Sequence, residues 1–177
     1  MPLILITGGS RSGKSAFAQQ KAEQIGGQKI FIATCPHTDP EMDERIRRHQ
    51  QDRQGRGWQT VEEPIQLTEQ LCSFTQGVTI LIDCLTLWIN NLMYAAEQEN
   101  SELTEDQAAE AAQQLADTAS FCEGTVILVT NEVGSGIVPD NAMARHYRDL
   151  VGRCNQVIAR QADQVFLVTC GIAQQIK

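Results

Sequence analysis

The strongest constraint in this sequence is an eight-residue stretch near its start. Residues 8–15 read Gly-Gly-Ser-Arg-Ser-Gly-Lys-Ser and fit the pattern G-x-x-x-x-G-K-[ST]. A short apolar run with β-branched residues, 3–6, precedes the stretch, and apolar residues at helical spacing follow over residues 14–25. A strand, a glycine-rich loop and a helix in this order predict a phosphate-binding loop.

The residue types in this loop match the chemistry of a nucleoside triphosphate. Glycines let backbone N–H groups surround phosphate oxygens, Lys14 can neutralise the β and γ charges, and the Ser15 hydroxyl can ligate Mg²⁺. The positive end of the following helix adds to this attraction. A chance glycine-rich turn fits the flanking strand and helix patterns less well. We therefore predict nucleotide contacts from Gly8, Gly9, Ser10, Arg11, Ser12, Gly13, Lys14 and Ser15.

Short apolar runs alternate with helical patterns along the chain. Strands are predicted at residues 3–6, 29–32, 78–82, 125–129 and 165–168. Five helices are predicted: 14–25, 40–53, one that begins at 86, an alanine-rich one that ends at about 121, and 141–162. Ser101 or Thr104 can cap the alanine-rich fourth helix, and Asp140 the last one. This alternation predicts an α/β fold of the P-loop NTPase type, RecA-like, with a mostly parallel central sheet and helices on both faces. Without a repeat or a linker, residues 1–177 are expected to form one domain.

Ligands collect at the carboxyl ends of strands in such sheets. Asp83 follows the apolar run 78–82, where P-loop proteins place the acidic residue that holds Mg²⁺ directly or through water. Its alternative is a strand-end aspartate that caps a turn. Glu132 follows the run 125–129 and either orients an acceptor hydroxyl or a metal-bound water, or caps a loop. The sequence leaves both interpretations of Glu132 open.

A histidine lies in a basic segment between residues 41 and 53. Arg45, His49 and Arg53 are four residues apart and would share one face of a helix. Positive surroundings favour a neutral, nucleophilic imidazole and attract phosphate, as a nucleotidyl-accepting histidine requires. The alternative is a solvated charged helix with an incidental histidine.

Composition limits the partners and the compartment. Acidic residues outnumber basic ones 22 to 14, so the net negative field argues against nucleic acid. No apolar stretch approaches the roughly 20 residues needed to span a bilayer, which argues against membrane insertion. Six widely spaced cysteines without a C-x-x-C pair argue against structural zinc and suggest a reducing cytoplasm.

Several motifs together resemble the cobinamide kinase / cobinamide phosphate guanylyltransferase family. They are the loop at 8–15, RIRRH at 45–49, WQTVEEP at 58–64, LIDCLTLW at 81–88, TNEVGSGIVP at 130–139 and RHYRD at 145–149. Gly152 and the pair Asn155-Gln156 extend the likeness. The loop alone occurs in many NTPases, whereas the histidine segment combined with the 130–139 motif is specific to the family.

The resemblance implies two reactions in one enzyme. The first phosphorylates the aminopropanol hydroxyl of adenosylcobinamide with ATP or GTP, and the second transfers GMP from GTP to the new phosphate. His49 would attack the α-phosphate and carry the GMP. Further nucleotide contacts would come from Ala33, Thr34, Cys35, Gln50, Gln51, Asp52, Arg53, Glu62 and Asp83. Cys35 departs from the small hydroxyl-bearing residue expected there, and the resemblance also implies a trimer.

Two other functions remain compatible with the residues alone. A P-loop small-molecule kinase would keep Lys14 and Asp83 but treat His49 as surface charge, with no covalent intermediate. A nucleotide-dependent switch or ATPase would act on a protein partner, although the chain shows no appended interaction module.

Overall fold

The computed structural model describes residues 2–35, 47, 51, 53–74 and 77–177. Across these ranges a seven-stranded sheet has the order β3-β2-β4-β5-β1-β6-β7. Its strands are β1 (Leu3–Gly8), β2 (Gln28–Ala33), β3 (Trp58–Glu62), β4 (Val78–Asp83), β5 (Thr125–Val129), β6 (Gln164–Thr169) and β7 (Ile172–Gln175). Strands β1 to β6 pair in parallel, and β7 returns antiparallel along β6.

The helices connect these strands across the two faces of the sheet. They are α1 (Lys14–Ile25), α2 (Leu67–Cys72), α3 (Leu85–Gln98), α4 (Glu105–Phe121) and α5 (Ala142–Gln161), and a 3₁₀ turn spans Val133–Ser135. Among the helices described, none is both long enough and apolar enough to cross a bilayer.

Alternation along β1 explains why both faces are covered. Leu3 and Leu5 belong to a core that α2, α3, α4 and α5 share, whereas Ile4 and Ile6 pack with α1 in a second core. Successive side chains of a strand point to opposite faces, so a continuously apolar strand needs apolar partners on both sides. The predicted α/β class with helices on both faces is therefore confirmed.

The strongly apolar elements lie where the sequence predicts them. The predicted 14–25 helix and 125–129 strand match α1 and β5, and the other predicted strands are each longer in the structure by one or two residues. Three elements were not predicted: β3, α2 and β7. β3 is a polar edge strand, α2 has only six residues, and β7 reads Ile-Ala-Gln-Gln, so none shows a clear apolar period. The predicted 40–53 helix lies mostly outside the described residues, but Arg47, Gln51 and Arg53 are helical.

Helix caps settle two of the sequence predictions. Thr104 caps α4 in a reciprocal capping box: its hydroxyl accepts from the Gln107 N–H, and its own N–H donates to Gln107 Oε1 at 2.9 Å. The prediction of Asp140 as the cap of α5 was wrong. Asn141 caps it instead, because its Oδ1 accepts from the Ala144 N–H at 3.0 Å.

We expect Thr104→Ala to lower the free energy of unfolding by about 1 kcal/mol, because the Gln107 N–H in the first turn of α4 loses its hydroxyl acceptor. Urea unfolding followed by circular dichroism measures the loss. Thr104→Ser keeps the hydroxyl and should remain within a few tenths of a kcal/mol of the parent. Equal losses in both variants would contradict the capping role.

Candidate functional site

The loop of residues 8–15 joins β1 to α1 and packs against the β6–β7 hairpin. A Cβ at Gly8 would lie 2.4 Å from the Val168 carbonyl oxygen, so no side chain fits there. Gly13 caps α1 with φ 95°, and the Gly171 N–H donates to the Ser12 carbonyl at 2.8 Å. The loop's curvature thus depends on glycine and on support from the hairpin.

Two side chains of the loop are positioned as an anion site requires. Lys14 Nζ donates to the Gly9 carbonyl at 3.1 Å, which folds the ammonium group back over the loop. The Ser12 hydroxyl is buried, and among the described residues it has no hydrogen-bond partner. A buried hydroxyl without a partner is costly, and a phosphate oxygen would satisfy it.

The carboxyl end of β4 brings an acidic residue to this loop. Ser15 and Asp83 line one pocket of about 290 Å³ together with other residues of α1, and Phe31 and Arg53 also line it. A hydroxyl and a carboxylate are the hard oxygen donors that Mg²⁺ takes alongside phosphates and water. The residues present therefore fit a Mg²⁺–triphosphate complex. Ser15 and Asp83, which the sequence predicts as Mg²⁺ ligands, thus line the same pocket.

A hydrogen-bonded clamp holds the strand ends around this pocket. The Thr34 hydroxyl donates to the Cys84 carbonyl and accepts from the Cys84 N–H, both at 2.8 Å. Asn91 Nδ2 donates to the carbonyls of Thr34 and Pro64, at 2.8 and 2.9 Å. The chain segments that follow β2, β3 and β4 are thereby tied together. The sequence predicts Thr34 as a nucleotide contact; in the structure its hydroxyl is hydrogen-bonded to the backbone of Cys84.

Cys84 lies beside Asp83 within the clamp. Burial, and secondly the neighbouring Asp83 charge, raise the pKa of its thiol to about 11. The thiol stays protonated near neutral pH, so Cys84 is unsuited to act as a thiolate nucleophile.

Arg53 connects the histidine segment to the pocket. The Arg53 side chain is only 5% exposed, and its Cζ lies 3.5 Å from the centroid of the Phe31 ring. Trp58 meets the same ring edge-on, with 6.4 Å between centroids. Arg53 also lines a second opening, of about 470 Å³, with Arg47 and Gln51. Arg53 therefore faces both openings.

Glu23 of α1, which lines the same pocket, forms a hydrogen-bonded and ionic cluster with Trp58 and Arg56. Glu23 Oε1 accepts from Trp58 Nε1 at 3.1 Å and lies 3.6 Å from Arg56 Nη1. Burial opposes ionisation of Glu23, but the hydrogen bonds from Trp58 and Gln19 and the Arg56 charge outweigh it and lower the pKa of the carboxyl. Phe31 gave no functional signal in the sequence, since an aromatic residue in a strand indicates core packing first, and Trp58 entered only as part of the 58–64 motif.

Of the remaining predicted site residues, some lie within the part of the chain that the structure describes and others do not. Ala33 and Glu62 end β2 and β3 side by side, in register, at the same sheet edge as Asp83. Cys35 is half-buried and Gln51 is exposed. Arg45, His49, Gln50 and Asp52 lie outside the described residues.

Glu132 lies next to the first residues of the loop. Its carboxylate accepts a hydrogen bond from the Thr7 hydroxyl at 2.6 Å, and its N–H donates to the Gly8 carbonyl at 3.2 Å. Thr7 was missed in the sequence; the available signal is a hydroxyl residue at the end of the apolar run, directly before the loop.

Comparison with known proteins gives consistent matches along the whole chain. The family model described as cobinamide kinase / cobinamide phosphate guanyltransferase matches residues 4–176. A bifunctional adenosylcobalamin biosynthesis protein, CobU of Salmonella typhimurium, is 40% identical over 182 residues, covering 99% of both chains. A second, CobP of Pseudomonas aeruginosa, is 36% identical over 174 residues, covering 98% of this chain and 96% of the relative.

The fold has more distant counterparts among solved structures. A KaiC-like protein from Pyrococcus horikoshii superposes with a TM-score of 0.52 at 15% identity, covering 94% of this chain and 71% of that one. At this identity the likeness concerns the fold alone, and it supports the P-loop NTPase-like, RecA-like architecture.

We expect Gly13→Ala to lower the free energy of unfolding by about 1–3 kcal/mol, since a non-glycine residue at this φ is strained. Its Cβ would also lie 3.1 Å from Gly171 Cα. Gly9→Ala is the matched control, because nothing lies within 4 Å of a Cβ at that position. Urea unfolding of the nucleotide-free protein compares the two; an equal effect would contradict the packing of Gly13 on the hairpin.

Proposed function

The chain belongs to the cobinamide kinase / cobinamide phosphate guanyltransferase family and is a bifunctional transferase, and we propose that both of its reactions use the nucleotide site at residues 8–15. In the first reaction, the aminopropanol hydroxyl of adenosylcobinamide attacks the γ-phosphorus of ATP or GTP. In the second, GMP passes from GTP to the new phosphate and gives adenosylcobinamide-GDP.

The second reaction requires a nucleophile that reaches the α-phosphorus, and we assign this role to His49. Its imidazole nitrogen forms a bond to phosphorus, the α–β bridging bond breaks, and pyrophosphate leaves. The phosphate of adenosylcobinamide phosphate then attacks the same phosphorus, and the histidine is released. One phosphate-binding site can serve both displacements, provided that each nucleophile in turn reaches the same phosphorus.

The observation that carries this proposal is the position of Arg53. Arg53 lines the pocket that Ser15 and Asp83 share. His49 precedes Arg53 by four residues, and four residues of chain span at most about 14 Å. The short covalent connection would allow the histidine to reach the pocket, while Arg53 and Arg47 supply positive charge for the phosphates.

Mg²⁺ would be held by Ser15 and Asp83, with phosphate oxygens and water completing its shell. Bound there, it neutralises phosphate charge and polarises the phosphorus centres under attack. Lys14 contributes a second positive charge, and the N–H groups of the loop bind phosphate oxygens.

Further parts of the proposal concern the contacts and the assembly. We propose nucleotide contacts from the loop and from Ala33, Cys35, Gln50, Gln51, Asp52, Arg53, Glu62 and Asp83. For Thr34 we propose that the side chain supports the nucleotide site by holding the strand ends together, since its hydroxyl is hydrogen-bonded to Cys84.

Residues 1–177 would act as one cytoplasmic domain in a trimer, without nucleic acid or membrane as a partner. The competing candidate is a small-molecule kinase without the histidine-linked step.

Incubation with α-labelled GTP and Mg²⁺, followed by denaturation, should leave label on the protein. A phosphoramidate is acid-labile and base-stable, which distinguishes it from a phosphoester. His49→Asn should abolish the label, whereas His146→Asn, on α5, should keep it. Label that persists in His49→Asn would refute the assignment, and a parent without label would favour the plain kinase.

Lys14→Ala should slow both reactions by about 10²–10³-fold, because charge stabilisation at the phosphates is lost. Lys21→Ala removes a charge from the same helix, where Lys21 lies 4.4 Å from the Phe166 ring centroid. It should leave both rates near the parental values. Initial rates with each substrate held in excess measure the effect, and an unchanged phosphorylation rate in Lys14→Ala would contradict the role of the loop.

A further inference from the structure

Glu132 is held at the phosphate loop by bonds on both sides of its Cα. The chain after β5 continues to pair with β1: the Thr130 N–H donates to the Ile6 carbonyl at 2.9 Å, and the Glu132 N–H to that of Gly8. The buried Thr7 hydroxyl donates to Glu132 Oε1. Backbone and side chain together direct this carboxylate to the point where the loop begins.

The hydrogen bonds separate the two interpretations that the sequence left open. A loop-capping carboxylate accepts backbone N–H groups close in sequence, as Glu63 Oε1 does from Ile65 and Gln66 at 2.9 and 2.7 Å. Glu132 stands at the N-cap position of the 133–135 turn, yet its side chain makes no capping bond there. Its carboxylate instead accepts from Thr7, which is 125 residues away in the sequence. Loop capping therefore does not account for this carboxylate.

The surroundings of Glu132 suit a proton acceptor. A hydroxyl has a single hydrogen, so the Thr7 bond orients Oε1, and within the described residues nothing donates to Oε2. Glu132 is half-buried, so part of the residue remains accessible to solvent. Lys14 Nζ donates to the Gly9 carbonyl, and the preceding residue, Gly8, accepts the Glu132 N–H, so both charged residues are attached to the first residues of the loop.

The two reactions differ in their need for a base. The acceptor of the first is an alcohol, which must lose its proton as its oxygen bonds to phosphorus. The acceptor of the second is a phosphate monoester, which is largely ionised at neutral pH because its second pKa is about 6. A base beside the loop therefore benefits phosphorylation and has no corresponding task in guanylyl transfer.

We propose that Glu132 is the general base of the phosphorylation reaction alone, oriented by Thr7; this rests on the proposed function. Glu132 Oε2 takes the proton of the aminopropanol hydroxyl while the hydroxyl oxygen bonds to the γ-phosphorus. The bond from that phosphorus to the β–γ bridging oxygen breaks, and the nucleoside diphosphate leaves with the electron pair. The proton then passes from Glu132 to water. Thr7 is a positioning residue.

The test compares the two half-reactions in Glu132→Gln. Glutamine keeps an oxygen that accepts the Thr7 hydrogen bond, but it cannot take up the proton. We expect kcat for phosphorylation of adenosylcobinamide to fall by about 10²–10⁴-fold, the usual contribution of a general base. Self-labelling with α-labelled GTP, and GMP transfer to adenosylcobinamide phosphate supplied directly, should stay near the parental rates.

Glu123→Gln is the matched control, since it removes the same charge at the opposite, amino-terminal end of β5, where Glu123 is exposed. It should leave both half-reactions unchanged. Phosphorylation at the parental rate in Glu132→Gln would overturn the proposal. Equal loss of phosphorylation and self-labelling would also overturn it, because Glu132 would then support the shared nucleotide site. A parent inactive in both assays would instead refute the proposed function.

Discussion

Parallel pairing of β1, β2, β4 and β5 is the constraint on which the rest of the structure depends. Their registers bring Thr7, Ala33, Asp83 and Glu132 to one edge of the sheet. Each strand is buried on both faces, so its residues can interact with a ligand only where the strand ends. The chemistry therefore lies in the few residues that follow each apolar run.

A negative protein can bind a triphosphate because the attraction is local. The chain carries a formal charge of −8, which opposes long polyanions. Lys14, however, is bonded to the loop itself, and Arg53 lines the pocket that Ser15, the last residue of the loop, shares with Asp83. Phosphate binding thus depends on short distances, while the overall field limits which larger partners approach.

The fold and the site could be predicted from the sequence to different extents. Continuous apolar runs and the glycine pattern predict the buried strands and the loop, because burial on both faces leaves few alternatives. The exposed edge strand β3 and the short β7 lack such a signal, since a half-solvated strand tolerates polar residues. Asp140 and Asn141 are both good caps, and only the hydrogen bond to Ala144 decides between them. Asn91 is hydrogen-bonded to the carbonyls of Pro64 and Thr34, which lie 27 and 57 residues before it in the sequence. No local sequence pattern predicts these contacts.

The contact between the loop and the β6–β7 hairpin has a consequence for biosynthesis. Ser12 is translated long before Gly171, whose N–H donates to the Ser12 carbonyl, and β1 lies between β5 and β6. A nascent chain in which the whole glycine-rich loop has left the ribosome still lacks the β6–β7 hairpin that packs against this loop. Nucleotide binding in the final geometry therefore requires that residue 171 has been translated.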